Sequence, residues 1–132
     1  MRRPLKTTLL LALSVATALL SSSALGAGGV TSLLIVYRAR AGAAPVVLGL
    51  RCSPPRGTVP RPANACRRLD AGGRALFAPT PPGVACSQIY GGPQTAAVTG
   101  MLAGRRLWAR FTRRDGCEVD RWNRVAFLFP RA

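Results

Sequence analysis

Histidine is missing from this 132-residue chain, acidic residues number only four, and lysine occurs once, at Lys6. The first absence excludes serine–histidine–aspartate and cysteine–histidine catalysis, because both use imidazole to take the nucleophile's proton. Together with the lack of any C-x-x-C spacing, it also argues against a zinc site. The carboxylates are Asp70, Asp115, Glu118 and Asp120. Glu118 and Asp120 are the one conceivable glycosidase pair, but they stand two apart beside Cys117 and among arginines, which reads more simply as local charge pairing. No glycine-rich phosphate loop occurs. The inventory therefore contains no catalytic set, and neither an enzyme nor a cofactor is expected.

Long apolar runs are scarce too. The exception is Thr7 to Leu20, which follows the cations Arg2, Arg3 and Lys6 and precedes the small residues Ala24-Leu25-Gly26-Ala27. That order is the layout of a secretory signal peptide, residues 1–26, with cleavage expected near Ala27. An uncleaved anchor is the weaker reading, since a span needs roughly 20 apolar residues. Residues 27–132 then form one domain with one modest core, secreted and extracellular, with no stable membrane anchor.

Taking the three leader cations from the net charge of +15 leaves +12, and the sixteen cations that remain are all arginine. One reading is a cationic secreted protein that binds polyanions or a cell surface. The arginines, however, are spread from Arg38 to Arg131 without a basic arm or a single helical stripe, so a solvated face is the simpler account and no specific nucleic-acid partner is expected. The four cysteines, Cys52, Cys66, Cys86 and Cys117, all fall in the mature part. In an oxidising compartment an even number in so small a domain implies two disulfides. Three pairings are possible; the sequential one closes the most local loops and would contribute about 3 and just under 4 kcal/mol on the chain-entropy model.

Strands are expected over Thr31–Arg40 and Pro45–Cys52, rich in branched and aromatic residues and separated by Gly42 and Pro45 as in a hairpin. Ser53 to Pro62 reads as a loop. Asn64 is a candidate cap for a helix that places Ala65 and Leu69 on one face and stops at Gly72-Gly73. Pro79 to Pro93, with further prolines at 81 and 82 and glycines at 83, 91 and 92, excludes a helix and a central strand. Gln94–Leu102 reads as a third strand. In Arg106–Thr112 the alternation of Leu107, Ala109 and Phe111 with Trp108, Arg110 and Thr112 predicts another with one buried face. A short irregular or helical segment follows Cys117, and Val125–Phe129 reads as a final strand. Trp108, Trp122, Phe127 and Phe129 are expected in the core or a dimer interface.

Within the long loop, Cys86-Ser87-Gln88-Ile89-Tyr90 stands out, because a cysteine anchors a short segment between glycine and proline clusters. Several stretches form an ordered series with it: Leu50-Arg51-Cys52-Ser53-Pro54, Gly57-Thr58-Val59-Pro60, Ala63-Asn64-Ala65-Cys66, Asp70-Ala71-Gly72-Gly73, Gly104-Arg105-Arg106-Leu107, Cys117-Glu118-Val119-Asp120 and Phe127-Leu128-Phe129. In this order they resemble the subtilisin-inhibitor-like family of secreted bacterial serine protease inhibitors, over nearly all of the mature chain.

The resemblance implies an α+β fold with a five-stranded antiparallel sheet and two short helices, sequential disulfides, and a homodimer formed through the sheet. It also implies a reactive-site loop, Cys86 to Tyr90, that presents the Gln88–Ile89 bond to subtilisin-like serine proteases, with Gln88 as P1, Ile89 as P1′ and Cys86 as P3. Asp115 falls where relatives tend to carry a loop-supporting asparagine, and a carboxylate can only accept such bonds. Relatives often carry Pro or Thr at the position of Ser87 and Met, Lys or Arg at that of Gln88. Gly91-Gly92 contains one residue more than the usual approach to Pro93, and glycine there is expected to loosen the backbone. Some relatives are reported to interact with transglutaminases, which makes Gln88 a candidate acyl donor for such a partner. For Ile89 and Tyr90 the competing reading is that of apolar anchors folding the loop onto the domain.

Overall fold

A computed structural model describes residues 28–131. The leader proposed for residues 1–26 lies outside them. Five strands form one antiparallel sheet: β1 (Ser32–Arg38), β2 (Val46–Cys52), β3 (Pro55–Gly57), β4 (Thr95–Leu102) and β5 (Arg105–Phe111), in the order β3-β2-β1-β4-β5. Helices α1 (Pro62–Gly72) and α2 (Gly116–Val125) supply the second layer, each continued by a 3₁₀ turn, at Gly73–Phe77 and Ala126–Leu128. The α+β class, the five antiparallel strands and the two helices are as expected. No helix among these residues is long and apolar enough to cross a membrane.

The period-2 pattern decides which face is buried. Leu33, Ile35 and Tyr37 of β1 pair across to Leu50, Leu48 and Val46 of β2 and to Gly100, Val98 and Ala96 of β4. Leu107, Ala109 and Phe111 of β5 continue the same face, each no more than 6% exposed. Ala65 and Leu69 of α1, and Trp122 and Val125 of α2, close over it. Aromatic rings fill the space beneath α2: Trp122 lies 4.4 Å from Phe129 and 6.2 Å from Tyr37, and Phe111 lies 6.0 Å from Phe129. Such pairs add about 0.5–1.5 kcal/mol each beyond the area they bury. This aromatic block is the platform beneath the long loop.

Three sequence expectations are corrected. Val125–Phe129 is not a strand: Val125, Leu128 and Phe129 are buried while Ala126 is exposed, a three-to-four spacing that belongs to the end of α2 and its 3₁₀ turn. The fifth strand is instead β3, inside the stretch read as a loop. It escapes a pattern search because it is three residues long and opens with proline, which an edge strand tolerates. Gly57 in it has φ +141° and approaches the Gly49 carbonyl so closely that no side chain fits. Third, Asn64 does not cap α1. The cap residue is Arg61, at φ 48°, and Pro62 opens the helix where its missing N–H is not needed. Gly73, at φ 53°, ends α1 with its N–H on the Leu69 carbonyl.

The carboxylates are confined to the helical layer, whereas arginines occur on both layers. All four carboxylates lie on α1, on α2 or at the start of α2. The outer face of the sheet carries Arg38, Arg51, Arg56, Arg106 and Arg110 around Leu34, Val36, Val47 and Trp108. Trp108, expected in a core or interface, is 68% exposed there.

Candidate functional site

Both disulfides are sequential, Cys52–Cys66 and Cys86–Cys117. The first ties the end of β2 to α1; the second ties the long loop to the first turn of α2. Four attachments then define the loop. At its start, the Ala78 carbonyl accepts from Arg121 Nε (3.2 Å) and from Arg124 (3.1 Å). Arg121 is itself locked: its guanidinium meets both Glu118 carboxylate oxygens at 2.9 and 2.8 Å, donates to the Arg110 carbonyl at 3.2 Å, and sits over the Phe111 ring. In the middle stands the Cys86–Cys117 bond. Next to it the Gly116 N–H donates to the Ser87 carbonyl at 2.9 Å, and beyond Tyr90 the Gly91 N–H donates to the Arg113 carbonyl at 2.7 Å.

The side chains between the last two attachments are bare. Ser87 and Gln88 are exposed, and Ile89 and Tyr90 are each 65% exposed, so neither of the last two folds onto the domain. Gln88 turns its amide back to the Cys86 carbonyl at 3.4 Å. Cys86 to Tyr90 belong to no helix or strand, and none of them takes a left-handed φ. The segment combines a backbone fastened at both ends with a free row of side chains.

Asp115 lies at the centre of this scaffold but supports it indirectly. Its carboxylate caps α2 by accepting from the Glu118 N–H at 3.0 Å and pairs with Arg114 at 3.3 Å. An N-cap of this type is worth about 1 kcal/mol. The bonds that reach the loop come from the main chain on either side of it, at Arg113 and Gly116. Among the described residues one group of potential metal donors converges, Cys86, Asp115 and Cys117, and its two sulfurs are already joined to each other.

At both contacts the missing Cβ leaves room for a neighbouring side chain. A Cβ on Gly116 would overlap the Ser87 side chain, and one on Gly91 would come within 2.5 Å of Val119 Cγ2 and 3.2 Å of Arg113. Gly91 is hydrogen-bonded to the Arg113 carbonyl and packs against Val119, two supports that its lack of a side chain did not suggest. Gly92, at φ +127°, turns the chain toward β4. Sequence reasoning named the bare residues and missed these supports. The available signal was a glycine immediately before Cys117, where the missing Cβ leaves room for the Ser87 side chain of the bonded segment.

A two-layer α+β domain with a disulfide-fastened, side-chain-exposing loop defines the class. The chain belongs to the subtilisin inhibitor-like family, whose model matches residues 31–113. A search of the curated proteins finds no match. Among solved structures, Streptomyces caespitosus sermetstatin, crystallised in complex with Bacillus licheniformis subtilisin, is similar at 26% identity. The match covers 74% of this chain and 97% of that one with a TM-score of 0.46.

Proposed function

We propose that the protein is a secreted, substrate-like inhibitor of subtilisin-like serine proteases that presents the Gln88–Ile89 peptide bond. The observation that carries the reading is the fastening of Cys86–Gly91 at both ends with its side chains free. Family membership supports it independently. An ordered segment loses little conformational entropy on docking, so a standard interface of about 1,600 Å² can bind tightly.

The chemistry follows from the tether. The protease serine hydroxyl adds to the Gln88 carbonyl carbon, the C–N bond breaks, and the hydroxyl proton passes through the enzyme's base to the Ile89 nitrogen. An ordinary substrate then loses its amine fragment to solvent. Here the new Ile89 amine remains attached through Gly91 to the same domain that holds Gln88 through Cys86. It attacks the acyl-enzyme, re-forms the peptide bond and returns the proton to the serine. Gln88 is neutral and suits a broad S1 pocket better than one with a buried acid.

Titration of mature protein against subtilisin is expected to remove activity in proportion to inhibitor added, with the Gln88–Ile89 bond as the one that turns over. Digestion at many bonds without stoichiometric loss of activity would sink the reading. Mass spectrometry of the exported protein locates the cut expected near Ala27.

A homodimer through the outer sheet face belongs to the same proposal. That face offers both a knob and a recess: Trp108 projects from β5, and a hollow of about 510 Å³ opens over Gly49, Leu34, Ser32 and Thr99. Two-fold pairing puts the same patch on both copies, so the Trp108 of each can fill the hollow of the other. Sedimentation at micromolar concentration is expected to give a dimer mass for the parent and a monomer for Trp108→Glu; a monomeric parent overturns this part.

A further inference from the structure

The Cys86–Cys117 disulfide and the Gly116 N–H hold the acyl side of the Gln88–Ile89 bond, and among the described residues no disulfide holds the amine side. We propose that Arg113 is the positioning residue of the amine side, bracing the stretch from Ile89 to Gln94 against the aromatic core. The proposal rests on the inhibitor reading above.

Arg113 engages that stretch with both its main chain and its side chain. Its carbonyl accepts the Gly91 N–H at 2.7 Å. Its side chain packs on Gly91 so closely that a Cβ there would come within 3.2 Å of both Arg113 Cβ and Nε. Its NH1 donates to Gln94 Oε1 at 3.1 Å, just where the loop enters β4. The guanidinium carbon lies 5.7 Å from the centre of the Trp122 ring, and Trp122 is 7% exposed and packs against Phe129 in a tilted pair. One planar group thus connects the loop's exit to the block beneath α2, which a compact ammonium could not do with both a flat face and an in-plane donor.

A solvated surface cation is the bland alternative, and the burial argues against it. Arg113 is only partly exposed, and its Nε is buried without a hydrogen-bond partner among the described residues. Leaving a donor unpaired destabilises the fold unless the remainder of the side chain compensates. The compensating contacts include those to Gly91, Gln94 and Trp122. In the acyl-enzyme, they would keep the Ile89 amine near the acyl carbon, so that religation outruns hydrolysis.

Two amides report on the two sides separately. In free Arg113→Met protein, hydrogen exchange at Gly91 is expected to accelerate about tenfold relative to Gly116, since the brace comprises a charged hydrogen bond and a cation–π contact. Under stoichiometric subtilisin, net hydrolysis of Gln88–Ile89 rises by a similar factor. Arg113→Lys, which retains a donor for Gln94 but not the flat face toward Trp122, restores only part of the protection, and Gln94→Leu reproduces part of the loss; the latter carries the test if Arg113→Met does not fold. Unchanged exchange at Gly91, or equal acceleration at Gly91 and Gly116, overturns the brace. Failure of the parent to inhibit subtilisin overturns the inhibitor reading alone, because the exchange measurement needs no protease.

Discussion

Gln88→Lys is expected to convert a protein that trypsin ignores into one that binds it about a thousandfold more tightly. Gln88 is exposed at the bare row of the loop, and among the described residues its side chain makes only the long hydrogen bond to the Cys86 carbonyl, so exchanging it disturbs nothing that holds the fold. In the complex the new ammonium would enter an S1 pocket with a buried carboxylate. A desolvated pair of this kind is worth about 4 kcal/mol, close to three decades in Kd. Affinity for subtilisin should change far less, because a broad pocket has no charge to satisfy. The check is competitive inhibition of both enzymes with parent and variant, alongside thermal unfolding to show an unchanged fold. If trypsin remains indifferent, Gln88 does not occupy S1, and the proposed scissile bond is misplaced.

The second large effect separates the two disulfides. Removing Cys86–Cys117 by paired serine substitutions is expected to destabilise the fold by just under 4 kcal/mol, and removing Cys52–Cys66 by about 3 kcal/mol. Stability alone therefore barely distinguishes them. Inhibition should distinguish them sharply. Without Cys86–Cys117 the acyl side of the loop keeps only the Gly116 bond to Ser87 and the distant attachment at Ala78. The entropy of ordering several residues then falls on the binding step, at about 1–2 kcal/mol for each backbone, and turnover at Gln88–Ile89 should rise at least a hundredfold. The Cys52–Cys66 variant, whose crosslink lies away from the loop, should still inhibit wherever it is folded. Equal inhibition by both folded variants would show that the disulfide is not what fastens the loop.

How much of this could be read from the chain depends on what kind of signal each part leaves. The β1–β2 hairpin and β5 announce themselves because burial of one sheet face imposes a two-residue period on side-chain type. The loop is legible from prolines and glycines that neither helix nor sheet tolerates, and its bare residues from their place beside a cysteine. β3 leaves no period in three residues, and Val125–Phe129 is too short an apolar run to tell a strand from a helix end before its partners are known. Asp115 was traceable as a residue of the loop's scaffold but not in its bonding, since a carboxylate before a glycine and a cysteine can equally support a neighbour or cap a helix. Arg113 was the least legible. One arginine among eighteen looks like a solvated cation until the fold sets Gly91, Gln94 and Trp122 around it.

The two ends of the sheet have a further consequence, for colloidal behaviour. β3 and β5 each leave one side of their backbone unpaired, which is where foreign strands add and fibrils begin. At one end the exposed ladder is three residues long and opens with Pro55, which has no N–H to offer. At the other, Arg105, Arg106 and Arg110 would place like charges against an incoming copy of the same strand. The sheet is thereby built to stop growing at five strands.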